Sequence, residues 1–202
     1  MTFAAVVVAG YLLGSCPWGY WLVRLVHHQD IRTVGSGNVG GTNVWRVYGK
    51  RLGLTVIVLD VLKAFVPALL GVLLVSHLCG ILAGAAAMLG HWRPLFLGFA
   101  RGGKMVASAA GVFLAVAVWV ALGAACVSWL FFLTTRYVSV ASIAAALSLP
   151  VFAALFGYPR EVIVFSGLAA VGVLLLHRGN LRRLRAGTEN RATLRRTARS
   201  SA

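Results

Sequence analysis

The chain has 202 residues, of which 60% are hydrophobic and only 11% charged, with a mean hydropathy of +0.88; a soluble domain is about a quarter charged, so a water-soluble globular protein is excluded. Nineteen lysines and arginines stand against four acids, a net charge of +15, which in a greasy chain marks loops beside anionic lipid rather than a nucleic-acid surface. Cys16, Cys79 and Cys126 all lie in apolar runs, which argues against a disulfide framework and a zinc site.

Phe3 to Val26 is the first run able to cross a bilayer, which takes about 20 apolar residues. No basic segment precedes it, so it reads as a retained span, not a cleaved signal. Then comes "VGSGNVGGTNVWR", Val34 to Arg46, polar and glycine-rich. Glycines let backbone N–H groups converge on an anion. Ser36, Asn38, Thr42 and Asn43 add neutral hydrogen bonds, and Arg46 can grip a phosphate bidentately. The plain alternative is an ordinary interhelical loop.

Leu52 to His77 gives a second span. It contains Asp60 and Lys63, three apart on one face; intramembrane charges are costly, and the two read as a structural ion pair. Leu78 to Phe99 gives a third, followed by "GFARGGKM". Gly102, Gly103 and Lys104 read as a short phosphate cradle with a point charge, although the spacing is not that of a P-loop. A basic turn at the membrane surface would look the same. His91, just upstream, reads as a packing histidine.

Met105 to Thr135 has no charged residue. It is too long for one span of ~30 Å, so two short spans are expected, meeting near Ala121 to Ala124. Val138 to Phe156 and Glu161 to Leu176 complete a count of seven. His177 then stands where the last span meets the interface, and Asn180 lies one helical turn further on. Eight arginines follow between Arg178 and Arg199.

These runs predict an all-α integral membrane protein, a compact bundle of about seven transmembrane helices over residues 1–189, with a basic tail over 190–202 expected to be disordered. With the N-terminus outside, Arg32, Arg46, Lys50, Arg51, Arg101, Lys104, Arg136 and the tail share the cytoplasmic side, and only Arg160 lies outside. That is the positive-inside pattern. No metal-ligand set and no nucleotide fingerprint is present, so no cofactor is expected.

The segments "GSGNVGGTNVWR", "DVLK", "GHWRPLFLGFARGGK", "TRYVSVASI" and "HRGNLRRLRAGTE", in this order and spacing, resemble the bacterial membrane acyl-phosphate:glycerol-3-phosphate acyltransferases. The resemblance implies transfer of a fatty acyl group from acyl phosphate to the sn-1 hydroxyl of glycerol 3-phosphate, giving lysophosphatidic acid and phosphate, by a monomer in the bacterial inner membrane. It implies donor-phosphate contacts from Ser36, Arg46, Gly102, Gly103, Lys104 and Ser142. It implies glycerol 3-phosphate contacts from Lys104, His177 and Asn180, helped by Asn38, Thr42 and Asn43. His177, with a free pKa near neutrality, is one candidate proton acceptor; a substrate phosphate is the other. The chain departs from the family pattern at Gly41, Gly179 and Met105, and carries one extra residue in "GFARGGK". A side chain at Met105 is expected to narrow the cradle. The rival readings are an anionic-solute transporter, a non-catalytic membrane subunit and an inactive family member.

Overall fold

The computed structural model describes residues 2–192; residues 193–202, most of the expected tail, lie outside it. Ten α-helices and no strands occur among the described residues. α1 (Phe3–Gly14) is capped by the Thr2 hydroxyl, which accepts from Ala5 N–H. The chain breaks before Pro17 and resumes as α2 (Trp18–His27), so the first expected span is two helical pieces. α3 (Gly41–Tyr48) is a short surface helix, and α4 (Lys50–Leu74) is the longest in the bundle at 25 residues.

α5 (His77–Trp92) ends earlier than the sequence led us to expect. Pro94 disfavours helix in the residue before it, and the chain up to the next helix is loop with one 3-10 turn. α6 (Val106–Val116) and α7 (Val118–Thr135) divide the long uncharged run. They meet at Ala117, not near Ala121 to Ala124. Ala117 leaves helical geometry (φ −157°, ψ 69°), and His77 Nε2 lies 3.0 Å from the carbonyl of Val116. An imidazole from α5 thus satisfies an otherwise unpaired helix-end carbonyl inside an apolar region. Nothing in the run itself marks that residue. α8 (Val138–Leu155), α9 (Arg160–Leu176) and α10 (Arg178–Arg185) complete the chain; α10 turns 54° away from α9 at His177.

Among the described residues, fewer than the expected seven segments reach the length and apolarity of a full span. Four are long and apolar enough to cross a membrane, Phe3–His27, Lys50–Leu74, Val118–Thr135 and Val138–Leu155, and the bent α9–α10 pair makes a fifth. α6, with 11 residues, rises only ~16.5 Å at 1.5 Å per residue and cannot span by itself. Small residues set the closest helix contacts, as expected where lipid removes the hydrophobic drive between helices. Gly10 and Gly14 of α1 lie against the backbone of Ala83 and Ala87 in α5, where any Cβ would overlap. α4 packs on α5 and α6, and α7 leans mainly on α8. The outer face of α7 shows Trp119 and Trp129, 64% and 62% exposed, the pattern of a lipid-facing surface. A separate small core of Val23, Ile31, Val39, Val44 and Val56 anchors the glycine-rich loop.

Candidate active site

The loop before α3 is held from within. Asn43 is 2% exposed. Its Oδ1 accepts from Ser36 N–H at 2.9 Å, while its Nδ2 donates to the carbonyls of Val34 and Asn38 at 3.1 and 3.0 Å. Gly35 and Gly37 take positive φ (60° and 66°) to make the turns this requires. Asn38 Oδ1 accepts from Gly40 N–H, and its Nδ2 donates to Gly102 O at 3.1 Å, joining the first loop to the second. Thr42 and Arg46 stand one turn apart on α3. Gly41, one of the departures, sits where a Cβ would meet the Ile57 side chain and, at 2.8 Å, the Gly53 carbonyl.

In the second loop, Gly103 N–H donates to His91 O (2.9 Å) and Gly102 N–H to Trp92 O (2.8 Å). Both donors are thus occupied by the last carbonyls of α5. The two glycines do not line the cleft described below. They fix the path of the loop, because a Cβ at Gly102 would overlap His91 O and one at Gly103 the His91 ring. That ring is 4% exposed, with Nδ1 3.5 Å from Asp60 Oδ1. Asp60 pairs with Lys63 at 2.7 Å, both side chains 4% exposed, and Lys63 Nζ also donates to Cys16 O at 2.8 Å. The expected ion pair is therefore present, and it ties α4 to the break between α1 and α2.

Lys104 reaches the other way. Its Nζ donates to Asn180 Oδ1 at 2.6 Å. Asn180 Nδ2 donates to Glu189 Oε1 at 2.6 Å, Ser139 donates to the same oxygen at 2.9 Å, and Arg183 Nε donates to Oε2 at 2.8 Å. Burial works against the Glu189 charge, yet the hydrogen bonds from Asn180, Ser139 and Arg183 outweigh it and hold the carboxyl below its usual range. Burial, then the Arg183 charge and more weakly Arg101 and Arg46, depress the Lys104 ammonium to about 8 against the pull of Glu189. His177 Nδ1 lies 2.8 Å from Val173 O; a carbonyl only accepts, so Nδ1 carries the hydrogen and neutral His177 keeps its lone pair at Nε2.

These groups surround one cleft of about 350 Å³, lined by Ser36, Asn38, Thr42, Asn43, Arg46, Lys104, Ser142, His177 and Asn180. The sequence reading missed the Glu189 hub and Ser139. One signal was available: Glu189 is one of only four acids and lies among arginines. Below the cleft, an apolar groove of about 200 Å³ runs between α6, α7 and α8. Val106, Ala110, Ser128 and Ser142 line both, so the two spaces are continuous.

Met105 corrects a further expectation. It takes positive φ (65°), but its side chain is 6% exposed within the main core and is not among the cleft-lining residues. Its Sδ fills space beside Gly172, where a Cβ would stand 3.6 Å away. Met105→Gly relieves left-handed backbone strain of about 1–2 kcal/mol and opens a core cavity costing about 2–5 kcal/mol. The expected result is a lower melting temperature with unchanged activity per folded molecule. A thermal melt beside an initial-rate assay reads both, and a changed KM at an unchanged melt contradicts this placement.

A polar cleft lined by Arg46, Lys104 and Arg183 and opening into an apolar groove, within a helical membrane bundle, has the form of an integral membrane enzyme site suited to an anionic substrate and an apolar chain together. A sequence model of the family described as "Glycerol-3-phosphate acyltransferase" matches residues 4–187. The chain is 45% identical to a glycerol-3-phosphate acyltransferase of Aquifex aeolicus, over 92% of this chain and 96% of the relative. It is 43% identical to one of Geotalea daltonii, over 94% and 98%. Among solved structures it resembles PlsY (YgiH), an integral membrane glycerol 3-phosphate acyltransferase, in its glycerol 3-phosphate form, with TM-score 0.91, 42% identity and 95% and 96% coverage. A lysophosphatidic acid form of the same enzyme gives TM-score 0.87 and 40% identity, covering 95% of each chain. The chain belongs to the glycerol-3-phosphate acyltransferase family and is a multi-pass membrane acyltransferase.

Proposed function

We propose that this chain moves a fatty acyl group from acyl phosphate to the sn-1 hydroxyl of glycerol 3-phosphate, giving lysophosphatidic acid and inorganic phosphate, the first acylation of phospholipid synthesis. The observation that carries this reading is the continuity of the basic cleft with the apolar groove. One space suits two phosphates, the other an acyl chain, and the residues at their junction suit the reacting carbonyl. Ser36, Arg46, Lys104 and Ser142 hold the donor phosphate. Lys104, His177 and Asn180, with Asn38 and Thr42, hold glycerol 3-phosphate, while Asn43 folds the loop that carries them.

The hydroxyl oxygen attacks the acyl carbonyl carbon, the bond from that carbon to the phosphate oxygen breaks, and phosphate leaves with the electron pair. The hydroxyl proton passes to the phosphate or to His177 Nε2. With so activated a donor, proximity and charge stabilisation supply the catalysis. The cations of the cleft end fit a cytoplasmic site in a bacterial inner membrane, with the N-terminus outside and the C-terminus cytoplasmic.

The test offers acyl phosphate, acyl-CoA and acyl carrier protein separately to purified enzyme. Turnover is expected with acyl phosphate, one phosphate released per lysophosphatidic acid; comparable turnover with acyl-CoA rejects the donor. The pH profile adds a sign. Charged Lys104 binds the anions, so kcat/KM for glycerol 3-phosphate falls as pH rises through about 8, and Lys104→Arg removes that descending limb.

A further inference from the structure

The groove between α6, α7 and α8 has a layered construction. Its mouth, shared with the cleft, includes Val106 on α6, Ser128 on α7 and Ser142 on α8. Seven residues deeper along each helix stand Phe113, Ala121 and Leu149, which also line it. Seven residues are about two helical turns, so the three helices reach the same depth, ~10.5 Å below the mouth. Between these layers the walls of α6, α7 and α8 are alanines: Ala109, Ala110, Ala124, Ala125, Ala145 and Ala146. Bulk returns at the deep layer on α6 and α8. Phe113 is fully buried and stacks on Phe165 with ring centroids 5.2 Å apart; Leu149 is 5% exposed. A side chain backed in this way in a close-packed interior has nowhere to yield.

We infer that Phe113 and Leu149 form the floor of the acyl groove and set the acyl-chain length this enzyme prefers. The inference rests on the reading above that the acyl chain occupies this groove. Carbons that lie along the alanine walls leave water and bind favourably; carbons beyond the floor gain no such contact. Each methylene that gains or loses burial changes kcat/KM roughly fourfold. The preference thus belongs to two side chains, outside the polar cleft, that touch neither phosphate.

The experiment measures kcat/KM with octanoyl, dodecanoyl, palmitoyl and stearoyl phosphate for the wild type, Phe113→Ala, Leu149→Ala and Ala145→Leu, together with KM for glycerol 3-phosphate and a thermal melt. Opening the floor, which at ~10.5 Å below the mouth meets the chain at roughly the eighth carbon, is expected to raise the dodecanoyl-to-octanoyl ratio roughly tenfold or more, the gain from burying two or more methylenes. Ala145→Leu, which thickens a wall, moves the ratio toward shorter chains. KM for glycerol 3-phosphate stays within twofold, as roughly expected for separate sites. Should Phe113→Ala fail to fold, Leu149→Ala and Ala145→Leu carry the test. An unchanged chain-length profile in the folded variants, or a uniform fall with every donor, overturns the floor while leaving the donor assignment standing. A wild-type enzyme that turns over none of the acyl phosphates overturns both.

Discussion

Lys104→Ala folds and loses most of its activity. The lysine lies in the loop between α5 and α6, outside the apolar core, and its ammonium donates to Asn180 across the cleft. A hydrogen bond to a charged group contributes about 1.5–3 kcal/mol, which corresponds to roughly a tenfold to hundredfold fall in kcat/KM at about 1.36 kcal/mol per decade. If the one ammonium grips both substrate phosphates, the fall exceeds that range. Lys104→Arg recovers part of the rate, because a planar guanidinium replaces the charge but not the compact donor. Initial rates at matched thermal melts decide the matter. Full activity in Lys104→Ala would remove the Gly-Gly-Lys loop from the site.

Glu189→Ala is expected to damage both stability and activity. Its carboxylate accepts from Asn180, Ser139 and Arg183 at once, so truncation leaves three donors unanswered. Breaking a buried charge pair costs about 3–5 kcal/mol; because Arg183 is 39% exposed, water compensates part of its loss and the lower end applies. Activity falls further, since Asn180 loses the partner that aims its Oδ1 at Lys104. Glu189→Gln keeps the shape and one acceptor oxygen, and should fall between. The pH dependence has a definite sign. A carboxyl depressed in the folded state stabilises above the usual carboxylate pKa and ceases to do so as pH falls through its folded value. Wild type therefore loses stability on acidification in a range where Glu189→Gln shows a flatter profile. Equal melts and rates for wild type and Glu189→Ala would dismiss the hub.

The sequence revealed the polar residues of the site because hydrophobic spans make any glycine-rich or charged interruption conspicuous. Ser36, Arg46, Lys104, His177 and Asn180 were legible for that reason, and they line one cleft. What stayed hidden depends on partners distant in the chain. The occupied N–H groups of Gly102 and Gly103 show only when α5 brings its last carbonyls alongside. The break at Ala117 depends on His77, 40 positions earlier. The inward turn of Met105 shows only when α6 and α9 come together, its side chain buried in the main core beside Gly172. Local pattern carries none of these, since each is a tertiary contact that overrides uniform apolarity.

The hub residue also sets an order in time. Ribosomal synthesis delivers the chain from its N-terminus, and early segments fold before late ones exist. Ser36, Arg46 and Lys104 are in place long before Glu189, which follows every apolar helix of the bundle. A nascent chain halted after α9 would hold all its membrane helices while Asn180, Arg183 and Glu189 were still to come. The bundle and the hub are thus separable parts of the sequence: a chain cut after Leu176 is expected to keep every apolar helix while lacking the whole Asn180, Arg183 and Glu189 cluster.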